Sequence, residues 1–231
     1  MQLEGKIVAL TGGFGGLGPT VVDALRRQGA KVAVIDRADA PAADSADDGR
    51  LLLPGIDIAD AHAARAAFER IAAHFGGVDA LVNLAGTYRW EPLAEGSLDT
   101  WNLLHRVNLL TAVSATRAAL PHLLARGGGR IVNFGALGAL KSGAGNGPYA
   151  ASKAGVHRLT ESLAEELKDR GIQVNAILPS IIDTPANRAD MPKADFSRWV
   201  KPAELAEVVV FLLSPGASAI TGALIPVAGR V

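Results

Sequence analysis

Short, continuously apolar segments alternate with longer helical patterns along the whole chain, and this alternation constrains the fold more than any other feature. Unbroken apolar segments are typical of strands in a parallel sheet that is covered on both faces. Repeated strand–helix alternation predicts right-handed crossovers between parallel strands. The sequence therefore predicts an α/β fold, with a doubly wound parallel sheet of about seven strands and helices on both faces.

The predicted strands cover residues 6–11, 31–35, 51–56, 79–84, 130–134, 172–178 and 223–227. The predicted helices cover residues 16–28, 60–75, 98–126, 148–170 and 202–213. No linker or internal repeat interrupts this pattern, so one domain over residues 1–231 is expected. Two long loops stand out: a small, acidic one at 38–50, expected to be solvated, and a polar one at about 181–200, expected to cover a substrate.

Charge and composition exclude several classes of function. The chain has 23 basic and 23 acidic residues, so it lacks the positive charge on which nucleic-acid and anionic-membrane binding depend. It has no cysteine, which excludes disulfides, thiolate catalysis and cysteine-bound metals. Its five histidines show no metal-ligand spacing, so no metal is expected. No apolar stretch approaches 18 residues and no leader precedes the first strand, so no membrane association and a cytoplasmic location are expected.

A glycine-rich turn, TGGFGGLG at residues 11–18, follows the first predicted strand and opens a helix. Glycines let backbone N–H groups and the helix N-terminus approach a pyrophosphate closely. The turn between strand and helix thus indicates a Rossmann-type dinucleotide site, whereas the glycines alone would also fit an ordinary tight loop. The predicted contacts from this turn are Gly12, Phe14, Gly16, Leu17 and Gly18.

An acidic residue at the end of the second strand bears on which dinucleotide binds. Asp36 lies 18 residues after Gly18, where a carboxylate can accept hydrogen bonds from the adenosine ribose and repel a 2′-phosphate. Arg37 follows it and could serve such a phosphate. The sequence therefore favours NAD(H), with NADP(H) as the alternative.

A tyrosine and a lysine four residues apart on one predicted helix carry the candidate chemistry. Tyr149 and Lys153 share a helix face, so the ammonium lies close to the phenol. A unit charge at about 5 Å lowers a phenol pKa by roughly two units, toward the range where general acid–base catalysis is efficient. We therefore expect Tyr149 to act as the acid–base group and Lys153 to lower its pKa.

Together these features resemble the short-chain dehydrogenase/reductase family over essentially the whole chain. The matching pieces occur in order: Thr11-Gly12-x-x-x-Gly16-x-Gly18, Asp57-Ile58, Asn83-Leu84-Ala85-Gly86, Asn108, Tyr149-x-x-x-Lys153, Pro179…Thr184 and Thr221-Gly222-Ala223. The order and number of these motifs make the resemblance far more specific than any one of them.

The resemblance implies a role for each matching position. Asp57 and Ile58 would lie at the adenine, while Asn83, Ala85 and Gly86 would border the cofactor. Asn108 would hold a water in a proton relay, and Lys153 would also hold the ribose. Ile182 and Thr184 would bind the nicotinamide amide and the pyrophosphate. Helices 98–126 and 148–170 would form the interface of a homodimer or homotetramer.

One position departs from the family pattern. The family usually has a serine 13 residues before the tyrosine, where it hydrogen-bonds the substrate oxygen, but Ala136 stands there in this chain. Loss of such a donor can cost about 10²–10³ in rate. Ser142 could replace it only if its loop folds back into the site. Otherwise either the activity is impaired or the substrate does not need the serine.

Dihydropteridine reductase, a divergent family member, also lacks this serine, and its substrate loop resembles residues 183–199. Its conjugated substrate spreads charge over several heteroatoms and depends less on one hydroxyl donor. Trp90 could stack on such a flat substrate or pack near the cleft, whereas Trp101 is expected to pack.

The sequence thus predicts an NAD(H)-dependent oxidoreductase that transfers hydride to or from a carbonyl-, quinonoid- or imine-like small molecule. One alternative is a ketone or 3-oxoacyl reductase, or an alcohol dehydrogenase, with an atypical site. Another, from a different class, is a non-catalytic NAD-binding sensor.

Overall fold

Seven parallel strands form one sheet in the order β3-β2-β1-β4-β5-β6-β7. The structure is a computed structural model that describes residues 1–41, 47 and 49–231. Residues 42–46 and 48 of the predicted acidic loop therefore lie outside the described residues. The strands are β1 (Ile7–Thr11), β2 (Lys31–Ile35), β3 (Arg50–Leu53), β4 (Ala80–Asn83), β5 (Gly129–Phe134), β6 (Ile172–Pro179) and β7 (Leu224–Val227).

Helices cover both faces of the sheet, as the continuously apolar strands predicted. One face packs against α1 and α7, and the other against α2, α4 and α5, with a separate apolar core on each side. The helices are α1 (Gly18–Arg27), α2 (Ala61–Phe75), α3 (Leu98–Leu104), α4 (Thr111–Ala125), α5 (Gly147–Leu167), α6 (Pro185–Asp190) and α7 (Pro202–Leu213).

Three elements differ from the sequence prediction. The third strand ends at Leu53 rather than 56, because Pro54 has no N–H for the sheet ladder. The single helix predicted over 98–126 is divided by a π-helical turn, His105–Leu110, between α3 and α4. The predicted loop 181–200 contains α6, which Thr184 caps by accepting a hydrogen bond from the Asn187 N–H.

The strand order reverses at β1, which pairs with β2 on one side and β4 on the other. Open parallel sheets bind ligands at such a switch point, beyond the carboxyl ends of the strands. The residues that follow β1, β2, β4, β5 and β6 therefore converge on one edge of the sheet. Among the described residues, no helix is long and apolar enough to cross a membrane.

Candidate active site

A cavity of about 1520 Å³ lies at this edge of the sheet. Its walls come from the glycine turn, the ends of β2, β4, β5 and β6, and the start of α5. It includes most of the residues that the sequence predicted to bind a dinucleotide. In the part of the chain that the structure describes, no cluster of three acidic or histidine side chains could hold a metal ion.

The glycine turn has the shape that a pyrophosphate requires. Gly12 has a φ of +73°, and a Cβ there would lie 2.6 Å from the Cα of Ala85. A Cβ at Gly18 would lie 2.1 Å from the Gly13 carbonyl oxygen. No side chain caps the start of α1 at Leu17, and Gly15, Gly16 and Leu17 line the cavity. The helix N-terminus is thus open to an anion, and these residues fit the dinucleotide.

Asp36 lies beside this turn at the carboxyl end of β2. Its Oδ2 accepts a hydrogen bond from the Phe14 N–H at 3.0 Å, and its Oδ1 accepts one from the Ala38 N–H at 3.0 Å. These bonds hold the carboxylate at the cavity wall, next to Arg37. The negative charge is therefore fixed against the glycine turn.

Asp57 and Ile58 also line the cavity, and Asp57 has a partner that the sequence did not reveal. The Arg106 guanidinium donates to Asp57 Oδ2 at 2.6 Å. This hydrogen bond, with one from the Ala59 N–H and the charge of Arg37, holds the pKa of Asp57 below its usual value although desolvation opposes it. Because Asp57 and Arg106 are 49 residues apart, no local spacing predicted the pair.

The residues at the end of β4 and just after it lie partly at the cavity and partly in the core. Ala85 and Gly86 line the cavity, and a Cβ at Gly86 would come within 3.2 Å of Lys153 Nζ. Asn83 is not among the residues that line it, and its contact with the cofactor stays a prediction. Its buried amide donates to Asn133 Oδ1 at 2.8 Å and to Thr116 Oγ1 at 3.3 Å. Asn83 thus joins β4 to β5 and α4.

Asn108 lies in the π-helical turn and is only 1% exposed. Its amide oxygen accepts from the Thr87 N–H at 2.7 Å, and its amide nitrogen donates to the Thr87 carbonyl at 3.0 Å and to Ser152 Oγ at 2.9 Å. The side chain therefore clamps the segment after β4 to the start of α5. A water relay through Asn108 stays a prediction.

Tyr149 and Lys153 are brought together on α5, but their ionisation differs from the expectation. Desolvation, with a smaller effect of Tyr88, raises the pKa of Tyr149 to about 12. Burial lowers the pKa of Lys153 to about 8, and its ammonium donates to the Phe134 carbonyl at 2.7 Å. The expected shift of the phenol pKa toward neutrality is therefore wrong, because desolvation is the largest influence on this pKa and raises it.

Ala136 is buried at the cavity wall, and its N–H donates to His157 Nε2 at 3.3 Å. Burial, together with the charges of Arg158 and Lys153, lowers the pKa of His157, so the ring is a neutral acceptor. Ser142 does not line the cavity; its hydroxyl donates to the Gly143 carbonyl at 3.3 Å. Ser142 therefore does not replace the missing serine.

The aromatic side chains Tyr88 and Trp90 line the cavity next to Tyr149. The Tyr88 and Tyr149 rings meet edge to face, with centroids 4.9 Å apart. The Trp90 Nε1 donates to the Ala144 carbonyl at 3.0 Å, while the residue stays 60% exposed. Sequence reasoning missed Tyr88, although its place just after the Asn83–Gly86 motif was the available signal.

The predicted substrate loop contributes less than expected. Ile182, Asn187 and Met191 line the cavity. Thr184 caps α6, close to where a Cβ of Gly16 would lie, and does not line the cavity. Trp199 is buried and packs against Phe196 at 4.7 Å, so these rings anchor the loop rather than cover a substrate.

A match to a known family model shows to which family the chain belongs. The model described as Enoyl-(Acyl carrier protein) reductase matches residues 13–229, which include the glycine turn from Gly13 onward, Asn108, Tyr149 and Lys153. The chain belongs to the short-chain dehydrogenase/reductase family. It is therefore an oxidoreductase of this family, whose members bind nicotinamide dinucleotides.

Relatives in this family cover nearly the full chain. The 3-oxoacyl-[acyl-carrier-protein] reductase FabG of Vibrio cholerae is 32% identical and covers 99% of this chain and 98% of that protein. The D-threitol dehydrogenase of Mycolicibacterium smegmatis is 35% identical and covers 96% and 91%. The crystal structure of gox2181 has a TM-score of 0.91 at 28% identity, covering 99% of this chain and 96% of that one. The resemblance to dihydropteridine reductase is not among these findings.

Proposed function

We propose that this short-chain dehydrogenase/reductase uses NADH to reduce a carbonyl-, quinonoid- or imine-like group on a flat, conjugated small molecule. The observation that carries the proposal is the position of Tyr149 and Lys153 in the same cavity as the glycine turn. With a pKa of about 12, the Tyr149 phenol is protonated at neutral pH. A protonated phenol is the form that donates a proton to a substrate oxygen.

In the reduction of a carbonyl group, each residue of the site has a separate role. When bound, the reduced nicotinamide supplies a hydride, which the carbonyl carbon accepts. Tyr149 donates its proton to the carbonyl oxygen, so the C=O bond becomes a CH–OH group. The Lys153 ammonium, held by the Phe134 carbonyl, places a positive charge where negative charge develops. Asn108 positions the adjoining segment through Thr87.

Asp36 supports NAD(H) as the cofactor rather than NADP(H). Its carboxylate is fixed at the cavity wall by the Phe14 and Ala38 N–H groups. A ribose 2′-hydroxyl can donate to this carboxylate, whereas a 2′-phosphate would meet its negative charge. Arg37 is exposed beside it and is the group that would serve a 2′-phosphate if NADP(H) bound.

The aromatic wall supports a flat substrate. Tyr88, Trp90 and Tyr149 all line the cavity, and the Tyr88 and Tyr149 rings are in edge-to-face contact. Aromatic faces and edges pack well against a planar ring. A quinonoid dihydropterin, a quinone and a cyclic enone share this shape. The Vibrio relative's name favours a second candidate, a 3-oxoacyl group, which would need less aromatic surface.

NADH oxidation with a panel of these compounds tests the proposal. We expect turnover with at least one planar compound, and faster turnover than with a 3-oxoacyl thioester. Preferential reduction of the thioester would transfer the assignment to the second candidate. Dinucleotide binding without turnover of any compound would indicate a non-catalytic sensor instead.

Assembly and location stay proposals of the same kind. We expect a homodimer or homotetramer through the two long helices α4 and α5, acting in the cytoplasm. Sedimentation of the purified protein tests the assembly.

A further inference from the structure

We infer that the Tyr88 hydroxyl supplies the hydrogen bond to the substrate oxygen that the family's serine supplies at position 136. This inference rests on the proposed reduction and names a second donor for it. The chain has two tyrosines, and both line the cavity with their rings in edge-to-face contact. A substrate oxygen that accepts a hydrogen bond from Tyr149 would therefore also lie near Tyr88.

The position of Tyr88 is fixed from both sides. Before it, Asn108 binds both backbone groups of Thr87. After it, the Glu91 N–H donates to the Gly145 carbonyl at 2.8 Å, and Trp90 donates to Ala144. Gly145 has a φ of +74°, and a Cβ there would lie 2.3 Å from the Trp90 ring. The segment that carries Tyr88 is thus fastened to the loop before α5.

Apart from Thr87, the other candidate hydroxyls are either outside the cavity or bound to a backbone carbonyl. Position 136 offers no hydroxyl, and Ser142 lies outside the cavity. Thr111 donates to the Val107 carbonyl at 2.7 Å, and Ser180 donates to the Ala228 carbonyl at 2.6 Å. Thr87 is the competing hydroxyl to test, because it precedes Tyr88 on the same wall.

Tyr88 can present its proton to a substrate. Its hydroxyl lies 2.8 Å from Asn146 Oδ1 and donates to it. An amide has both an acceptor and donors, so a half-turn of the Asn146 side chain makes the amide the donor and frees the Tyr88 proton. Desolvation and the charge of Asp190 raise the pKa of Tyr88, which keeps the phenol protonated.

A double-mutant cycle tests the inference with the best planar ketone or quinone of the panel. Tyr88→Phe removes only the hydroxyl and should lower kcat about 10²-fold while the Kd of NADH is unchanged. Ala136→Ser should change kcat less than about threefold in the wild-type background, because the oxygen already has its donor. In the Tyr88→Phe background, the same serine should restore kcat at least about tenfold.

Three results would overturn this inference while the proposed function stands. The first is wild-type turnover that Tyr88→Phe leaves unchanged, and the second is an increase in turnover by Ala136→Ser that is equal in both backgrounds. The third is a loss in the matched variant Thr87→Val as large as that in Tyr88→Phe, which would assign the donor to Thr87. Failure of the wild type to reduce any compound would instead refute the proposed function.

Discussion

Replacing Lys153 by methionine should change the stability of the fold in a pH-dependent way. Lys153 is 6% exposed, and burial lowers the pKa of its ammonium from 10.5 to about 8. At about 1.4 kcal/mol per pKa unit, holding the charged form in the folded protein costs about 3 kcal/mol at pH 7. Methionine removes this cost, but it leaves the Phe134 carbonyl unpaired, which costs about 1–3 kcal/mol.

The pH dependence of the unfolding free energy separates the cost of burying the ammonium charge from the cost of the lost hydrogen bond. Since the folded-state pKa lies below that of the unfolded chain, the unfolded chain binds more protons between pH 8 and 10.5, and wild-type stability rises with pH there. The wild type should therefore gain about 2.5 kcal/mol over Lys153→Met between pH 7 and pH 10.

Urea unfolding followed by tryptophan fluorescence, at one protein concentration and at pH 7, 8, 9 and 10, measures this difference. Lys193→Met is the matched control, because its exposed ammonium is solvated in the folded and unfolded chain alike. The control should differ from the wild type by the same amount at every pH. A constant difference for Lys153→Met as well would refute the argument that burial of its charge is costly.

The remaining predictions concern the cofactor and the proton donor. Wild-type protein should bind NADH at least about tenfold more tightly than NADPH, and Asp36→Ala should narrow this ratio in a fluorescence titration, since the carboxylate no longer meets the 2′-phosphate. Equal wild-type affinities for NADH and NADPH would contradict the role assigned to Asp36. Tyr149→Phe should lower kcat at least about 10²-fold while the NADH Kd holds, because the phenol transfers a proton and does not bind the pyrophosphate. A parallel loss of NADH binding would show that the phenol is structural.

The parts of the fold that follow local rules could be predicted from the sequence. The glycine turn is one, since the positive φ of Gly12 and the close approach at Gly18 admit only glycine. The central strands β1, β2 and β4 are another, because their apolar residues are almost all buried. The same rules placed Asp36, Tyr149 and Lys153 at the cavity.

Contacts between distant segments could not be predicted in this way. Asn83 pairs with Asn133 because β4 and β5 are neighbours in that register, so its amide meets the core and not the cavity. Arg106 reaches Asp57 only because the π-helical turn presents it there. Tyr88 meets Tyr149 through tethers to a loop about 55 residues away in sequence. Each of these pairs is far apart in sequence, so no local spacing of residues predicts the contact.

The protonation states of Tyr149 and Lys153 also could not be predicted from local spacing. These states determine which direction of the reaction the site favours. Coulombic attraction alone predicted a phenol near neutrality, but burial raises the Tyr149 pKa to about 12 and lowers that of Lys153 to about 8. Below pH 8 both groups are thus protonated, which suits proton donation and opposes proton abstraction. We expect kcat for reduction to be level below pH 8 and to fall above it as Lys153 loses its charge. Lys153→Arg, which stays charged, should be slower but keep its rate above pH 8. The same decline in Lys153→Arg would show that another group titrates there.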